Sequence, residues 1–152
     1  MNKNSMNKTK DLFYIFLITL FATTFPQMTN AKETFGSLKV SKVIRVIDGD
    51  TFVAEIENVH PIIGKNISIR IAGIDTPELS YKKGATQNKY AILAKAFLSN
   101  TLRSADTIQL KRVSRGRYFR LVADVYADGI NVGDKLLKHS HAKVWKPKRI
   151  LH

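Results

Sequence analysis

The sequence predicts a mainly β protein with helices, of the α+β class, in which five strands form a small barrel with a covering helix. Segments rich in Val and Ile occur in the order three strands, helix, two strands, helix, without an internal repeat. The length of 152 residues allows one domain with one modest core. A closed barrel suits this order because closure removes strand edges, although an open α+β sheet fits the pattern nearly as well.

The first two predicted strands form a hairpin. Residues 38–47 and 51–57 are rich in β-branched residues, which favour strands. They are joined by Asp48-Gly49-Asp50, whose residues tolerate the backbone angles of a tight turn. The hairpin therefore places an acidic turn at its tip.

The third predicted strand carries an arginine. Residues 58–66 contain a proline and a glycine and are expected to form a loop before it. Residues 67–71 alternate, with three isoleucines on one face and with Ser68 and Arg70 on the other. Arg70 should therefore point away from the packed face, towards a groove or solvent. Pro77 would prevent the ladder from continuing.

The covering helix is expected to begin after a cap at Thr86 or Asn88. Apolar residues then recur at the spacing of an amphipathic helix that packs on a sheet. This predicted stripe consists of Tyr90, Leu93, Ala94, Phe97 and Thr101.

Two more strands and a short helix complete the predicted domain. Residues 107–110 and 119–126 are expected to be strands, joined by the basic connection 111–117. Asp128-Gly129 would end the second of them. The stripe of the short helix consists of Val132, Gly133, Leu136, Leu137 and Ser140.

The first 31 residues have the three-part pattern of a secretory signal peptide. Three lysines precede an apolar run at residues 12–25, and Thr29-Asn30-Ala31 offers small residues before a cut. The run is short for a membrane span, but an uncleaved anchor is the alternative. Either outcome places the domain of residues 32–152, with its core at about 39–144, outside the cytoplasmic membrane. We expect a secreted, periplasmic or cell-envelope protein.

The chain is strongly basic and lacks cysteine. Its 25 Lys and Arg against 12 Asp and Glu give a formal charge of +13. Such a charge favours polyanionic partners, nucleic acid or an anionic membrane surface, and a self-repelling soluble surface is the plainer explanation. Without cysteine there is no disulfide and no thiolate metal site.

Two acidic turns could hold a divalent cation. Asp50 and Asp75 lie at the ends of different predicted strands, and the Thr76 carbonyl could add a third oxygen. Ca²⁺ and Mg²⁺ prefer oxygen ligands. Glu78 follows closely enough to orient or deprotonate an attacking water. Each turn by itself is more simply explained as a turn.

Two isolated arginines could hold a phosphate. Arg70 and Arg120 would grip its non-bridging oxygens and stabilise the charge that grows in the transition state. Tyr118 could donate a hydrogen bond to a neighbouring phosphate. An arginine on an exposed strand face is usually solvated, so the prediction depends on both arginines and both acidic turns occurring together.

Other hydrolase signatures are missing from the sequence. The four histidines have no metal-ligand spacing, and there is no Gly-x-Ser-x-Gly elbow, His-Glu-x-x-His motif or phosphate-binding glycine loop.

Several motifs together resemble the staphylococcal nuclease (thermonuclease) family, from about Lys39 to Val144. They are Val46-Ile47-Asp48-Gly49-Asp50-Thr51, Ile69-Arg70, Gly73-Ile74-Asp75-Thr76-Pro77-Glu78, Ala94-Lys95-Ala96-Phe97, Tyr118-Phe119-Arg120, Tyr126-Ala127-Asp128-Gly129 and Ala142-Lys143-Val144.

The resemblance implies an OB-fold barrel and a calcium-dependent nuclease that cleaves DNA and RNA and leaves 3′-phosphate ends. By matching position, Asp50, Asp75 and the Thr76 carbonyl are the implied calcium ligands. Glu78 is the implied general base, and Arg70 and Arg120 bind the phosphate. Tyr118 and Arg117 would contact the adjacent phosphate; at the position of Arg117 the family has a lysine. We expect a monomer without an obligate protein partner.

The sequence departs from the family in three places. The loop at residues 58–66 is longer, Phe119 replaces a glycine, and the tail ends soon after Pro147, without the family's third helix and tyrosines. Two other functions remain open: a nucleic-acid-binding module of the same fold that does not cleave, and a cationic wall-binding or membrane-active protein.

Overall fold

A computed structural model gives the structure of residues 34–80 and 88–146. The predicted leader, the cap at Thr86 and the tail beyond Lys146 lie outside these described residues. Within them, no helix is both long and apolar enough to cross a membrane.

The described residues form eight strands and three helices. The strands are β1 (Leu38–Val46), β2 (Thr51–Ile56), β3 (Ile67–Ile71), β4 (Ile74–Asp75), β5 (Ile108–Arg115), β6 (Leu121–Ala127), β7 (Ile130–Asn131) and β8 (Lys143–Val144). The helices are α1 (Pro61–Gly64), α2 (Lys89–Arg103) and α3 (Val132–Lys138).

Five of the strands close into a barrel. Antiparallel pairs join β3, β2, β1, β5 and β6 in that order. The parallel pairing of β3 with β6, in which Ile69 lies opposite Leu121 and Arg70 opposite Val122, closes the ring. The prediction of a five-stranded barrel is therefore confirmed and the open sheet is excluded. Strands β4 and β8 form a separate two-stranded sheet.

The barrel encloses the hydrophobic core. The largest fully buried side chains come from its strands and both longer helices, and they include Phe52, Ile69, Leu98, Leu110 and Leu136. The isoleucines of β3 all face this core, as the alternation predicted.

Helix α2 covers the barrel, but in a different phase from the predicted one. Asn88 caps it, because its side chain accepts a hydrogen bond from the Tyr90 backbone N–H at 3.0 Å. Tyr90 and Leu93 are exposed, which corrects the predicted stripe. The buried face instead consists of Ala91, Ala94, Leu98, Thr101 and Leu102. Small alanines bring the helix backbone close to the barrel.

The second half of the barrel differs from prediction at its strand ends. Strand β5 continues to Arg115 through a bulge, at which Arg112 has a φ of 49°. Strand β6 begins at Leu121, so Phe119 and Arg120 lie in the preceding turn and not in the strand. The predicted loop 58–66 contains the one-turn helix α1. Helix α3 buries Val132, Gly133 and Leu136, whereas Ser140 lies beyond its end.

Candidate active site

The turn between β1 and β2 buries an aspartate. The backbone N–H groups of Ile47 and Asp48 donate to the Thr51 carbonyl, and the Asp48 side chain accepts from the Asp50 N–H at 3.0 Å. These bonds fix the turn with Asp50 only 2% exposed. A buried carboxylate requires partners, because an isolated charge away from water is very costly.

Gly49 brings this turn against two other elements. A Cβ at position 49 would lie 2.6 Å from the Ala94 Cβ and 2.8 Å from the Thr76 Oγ1. No side chain fits there without movement of its neighbours. The glycine therefore permits the close approach of helix α2 and of Thr76. Thr76 follows the second aspartate, Asp75, which ends β4.

Arg70 joins the two acidic turns. Its Nη1 lies 2.7 Å from Asp50 Oδ1, and its Nη2 lies 3.1 Å from Asp75 Oδ1. The Thr76 N–H also donates to Asp50 Oδ2, at 3.3 Å. The β2–β3 register explains this meeting, because it places Thr51, the neighbour of Asp50, opposite Arg70.

The surroundings of Arg70 differ in part from the prediction. The side chain does point away from the core, but it is only 23% exposed and is bonded to both carboxylates. It is therefore paired with both acidic turns and is not a free cation in a groove.

Burial dominates the acidity of Asp50. Desolvation raises the pKa of this carboxyl from 3.8 to about 6, outweighing the hydrogen bond from Thr51 and the charge of Arg70, both of which lower it. A cation beside Asp50 would favour its ionised form.

Arg120 lies in the turn that leads into β6, the strand next to that of Arg70. It precedes Val122, the parallel partner of Arg70, by two residues. Its Nε is buried and has no hydrogen-bond partner among the described residues. Buried charged donors without partners are rare in folded proteins, and one at this position suggests that an anionic ligand completes it.

In the described part of the chain, no side-chain hydrogen bond or ion pair links the other predicted residues to this cluster. Glu78 is exposed, three residues beyond Asp75. Arg117 and Tyr118 lie at the tip of the β5–β6 turn, and 93% of Tyr118 is exposed.

Sequence reasoning assigned no role to one neighbour of the cluster. Lys143 Nζ lies 3.9 Å from Asp75 Oδ2, because β8 pairs with β4 and places Lys143 opposite Asp75. A cavity of about 310 Å³ opens beside this pair. Its lining residues are Asp75, Thr76, Pro77, Ser140, His141, Ala142 and Lys143. In the sequence, the motif Ala142-Lys143-Val144 was the signal for the side of the cavity that Lys143 lines.

Comparison with known proteins identifies the family of this chain. Residues 68–150 match the family described as staphylococcal nuclease homologue. The chain belongs to this family. It is 30% identical, over 79% of its length, to a protein named thermonuclease from Staphylococcus hyicus. It is 27% identical, over 68% of its length, to an uncharacterized protein from Methanocaldococcus jannaschii. It spans 66% and 58%, respectively, of those two relatives.

The family match contains most of the cluster but not all of it. Arg70, Asp75, Thr76 and Arg120 lie inside the matched residues, whereas Asp50 precedes them. The barrel explains how Asp50 still belongs to the cluster, since the β2–β3 ladder carries it to Arg70.

The donor set of this staphylococcal nuclease homologue fits a hard divalent cation. In residues 34–80 and 88–146, no three Asp, Glu or His side chains are grouped to hold a metal. The two carboxylates that meet at Arg70 and the nearby Thr76 backbone nevertheless provide oxygen donors, which Ca²⁺ and Mg²⁺ prefer. The buried Asp50 carboxylate, costly to ionise without a cation, supports the same fit.

Proposed function

We propose that this protein is a calcium-dependent, sugar-nonspecific nuclease that hydrolyses phosphodiester bonds of DNA and RNA and leaves 3′-phosphate ends. The observation that carries the proposal is the convergence of Asp50 and Asp75 on Arg70, beside the unpartnered Arg120 Nε. Family membership and the Staphylococcus hyicus thermonuclease support the same activity. The predicted leader supports action outside the cytoplasmic membrane.

Asp50, Asp75 and the Thr76 carbonyl would hold the calcium ion. When bound, the ion would supply Lewis-acid polarisation of the phosphate and favour formation of the nucleophile. The buried turn at Asp50 holds one ligand rigidly, through the contacts that Gly49 permits. Asp75 is half-buried and faces the cavity at Lys143, which gives the phosphate a route to the site.

The two arginines would act on the phosphate. Arg120 presents a guanidinium with an unused buried donor, and its bonds to non-bridging oxygens strengthen as charge accumulates on them. Arg70 is bonded to both carboxylates, so a cation that neutralises these groups would free it to share the phosphate. The site therefore needs the cation for its own charge balance as well as for chemistry.

Glu78 would take the proton from the attacking water. Its exposed position three residues beyond Asp75 supports this role, because the carboxylate is open to water there. Arg117 and Tyr118 would contact the adjacent phosphate from the tip of the β5–β6 turn. These contacts use the backbone alone, which suits a nuclease that accepts both sugars.

Digestion of a plasmid and of an RNA by the purified protein tests the proposal. We expect both to be degraded with added Ca²⁺ and preserved when a chelator is present. Glu78→Gln should reduce cleavage strongly while nucleic-acid binding is retained. Cleavage that continues in chelator would overturn the metal assignment, and unchanged cleavage by Glu78→Gln would overturn the base.

The second candidate is a nucleic-acid-binding module that does not cleave. The double ion pair of Arg70 favours it, because an arginine held by two carboxylates is unavailable to phosphate. Binding of DNA without cleavage at any Ca²⁺ concentration would support this candidate. A rise of Tm with Ca²⁺ in the wild type, absent in Asp50→Asn, would support the nuclease.

A further inference from the structure

The connection between β5 and β6 is a tight turn made of unusual residues. The Gly116 N–H donates to the Arg120 carbonyl at 2.7 Å, and the Arg120 N–H donates to the Arg117 carbonyl at 3.2 Å. The two residues between Arg117 and Arg120 are Tyr118 and Phe119, with φ of 57° and 59°. Positive φ at both central positions is the mark of a type I′ turn.

A second turn at the opposite end of β6 shows what this geometry normally requires. There the two positive-φ residues are Asp128 and Gly129, with φ of 49° and 80°. Asp, Asn and Gly dominate such positions because bulky side chains crowd the left-handed backbone. Tyr118 and Phe119 are therefore in a conformation that their side chains disfavour. Strain of this kind often accompanies a functional role.

The two aromatic rings gain little packing in return. Tyr118 is 93% exposed and Phe119 is 57% exposed. The Arg115 guanidinium lies over the Phe119 ring, 4.4 Å from its centroid, and Arg115 Nη1 donates to the Phe119 carbonyl at 3.5 Å. A cation therefore covers part of the ring, and the remaining surface faces solvent.

The charge around the ring is entirely positive within the turn. Residues 113–123 contain Arg115, Arg117 and Arg120 and no acidic residue. Exposed aromatic rings among arginines are the combination that binds single-stranded nucleic acid. Each base offers a π-face for stacking, while the cations follow the backbone.

We propose that Phe119 is a stacking platform for an unpaired base. The base would lie on the exposed face of the ring, Arg115 would back the stack from the other side, and Arg120 would hold the neighbouring phosphate. This inference rests on the proposed function, because it places the strand across Arg120. It assigns recognition of an unpaired base to Phe119, since bases inside a duplex have both faces covered.

Three substitutions at position 119 separate stacking from shape. Phe119→Trp keeps an aromatic face, and Phe119→Leu keeps apolar bulk and backbone strain without that face. Phe119→Gly removes both the ring and the strain. Their affinities for a labelled single-stranded DNA and for the duplex of the same sequence are measured by fluorescence anisotropy, with chelator present to prevent cleavage.

We expect Phe119→Leu and Phe119→Gly to bind the single strand about 10-fold more weakly, with duplex affinity changed by less than about 2-fold. Phe119→Trp should retain the preference. An oligonucleotide with abasic sites should lose affinity for the wild type but not for Phe119→Leu. Phe119→Gly should also raise Tm, because glycine relieves the turn. Arg117→Gln is the matched charge control and should weaken both forms equally.

Equal losses on single strand and duplex would overturn the proposal, and so would a lower Tm in Phe119→Gly together with unchanged affinities. The ring would be assigned to a lipid surface instead if the wild type binds anionic phospholipid vesicles and both Phe119→Leu and Phe119→Gly abolish that binding while single-strand affinity stays intact. Stacking measured in chelator while the wild type fails to cleave in Ca²⁺ would overturn the nuclease but not the platform. Cleavage in Ca²⁺ by the wild type, with single-strand affinity unchanged in the position-119 variants, would overturn the platform but not the nuclease.

Discussion

Arg70 lies on β3 and Arg120 lies in the turn that leads into the neighbouring strand β6, but their surroundings are opposite. The Arg70 guanidinium bonds to Asp50 and Asp75, which together balance more than its own charge. The Arg120 Nε is buried without a partner in the described part of the chain. The Arg70 guanidinium is paired within residues 34–80 and 88–146, whereas the Arg120 guanidinium leaves a buried donor unused there.

The difference separates a structural role from a purely functional one. Removal of Arg70 would leave two carboxylates facing each other, one of them deeply buried, so it should weaken the fold as well as the site. Removal of Arg120 breaks no hydrogen bond of its Nε and should affect ligand binding alone. Activity and stability measured on the same variants can therefore distinguish the role of Arg70 in the fold from the role of Arg120 in ligand binding.

The largest effect is expected at Arg120. Arg120→Ala should reduce kcat for DNA cleavage by about 10³-fold, because its guanidinium would stabilise the transition-state charge. Its Tm should stay within a degree or two of the wild type or rise, since an unsatisfied donor is removed. Arg45, exposed on β1, gives the control: Arg45→Ala should leave kcat unchanged. A large loss of Tm in Arg120→Ala would mean that the arginine holds the fold and not a ligand.

The pH dependence of stability tests Asp50, the buried partner of Arg70. The pKa of Asp50 is about 6 in the folded protein, because burial outweighs its bonds, and 3.8 is its ordinary value. Between these values the folded protein binds more protons than the unfolded chain, so stability falls as pH rises. The shift corresponds to about 3 kcal/mol, lost between about pH 4 and pH 7.

Urea unfolding across this pH range measures the effect without divalent cations. Asp50→Asn lacks the titrating group, so the difference in unfolding free energy between wild type and variant should change by about 3 kcal/mol from pH 4 to pH 7. A pH-independent difference would show that Arg70 compensates fully for burial. Saturating Ca²⁺ should reduce the wild-type decline if the ion occupies the site.

The residue pattern predicted the five strands, the resemblance favoured the barrel over the open sheet, and the strand ends were expected to be able to bring the acidic turns together. Strand alternation oriented Arg70 correctly, and the resemblance named the residues that converge on it. Alternation gives a side chain's face but not its neighbours, so the double ion pair was not predicted. The pairing depends on strand register and on the close approach at Gly49, which only the assembled barrel defines.

The helix phase and the β5–β6 turn escaped prediction for related reasons. Helix α2 carries two overlapping stripes, both of which contain Ala94, and the assembled fold buries the one with Ala91, leaving Tyr90 exposed. Tyr118 and Phe119 have strand propensity but adopt a left-handed turn. Local propensity predicts the conformation of lowest intrinsic energy. Here the turn, which is closed by the hydrogen bond from the Gly116 N–H to the Arg120 carbonyl, overrides that preference.

A smaller effect is expected for the stability contributed by Arg70. Arg70→Ala should lower the unfolding free energy at pH 7 by about 2 kcal/mol, less than for a fully buried ion pair because Arg70 and Asp75 are partly exposed. The loss should shrink near pH 5, where Asp50 is protonated in the folded protein. Arg70→Lys should recover only part of it, since an ammonium cannot bond both carboxylates as a fork.

Lys143 offers the matched control for charge. It lies 3.9 Å from the same Asp75 but is 80% exposed, so Lys143→Ala should cost less than about 0.5 kcal/mol in urea unfolding. If charge near Asp75 were sufficient, the two substitutions would have similar effects. A loss of unfolding free energy in Lys143→Ala as large as that in Arg70→Ala would show that charge near Asp75 is sufficient to stabilise the site. A loss confined to Arg70→Ala would show that the bridge between the two turns, and not local charge, stabilises the site.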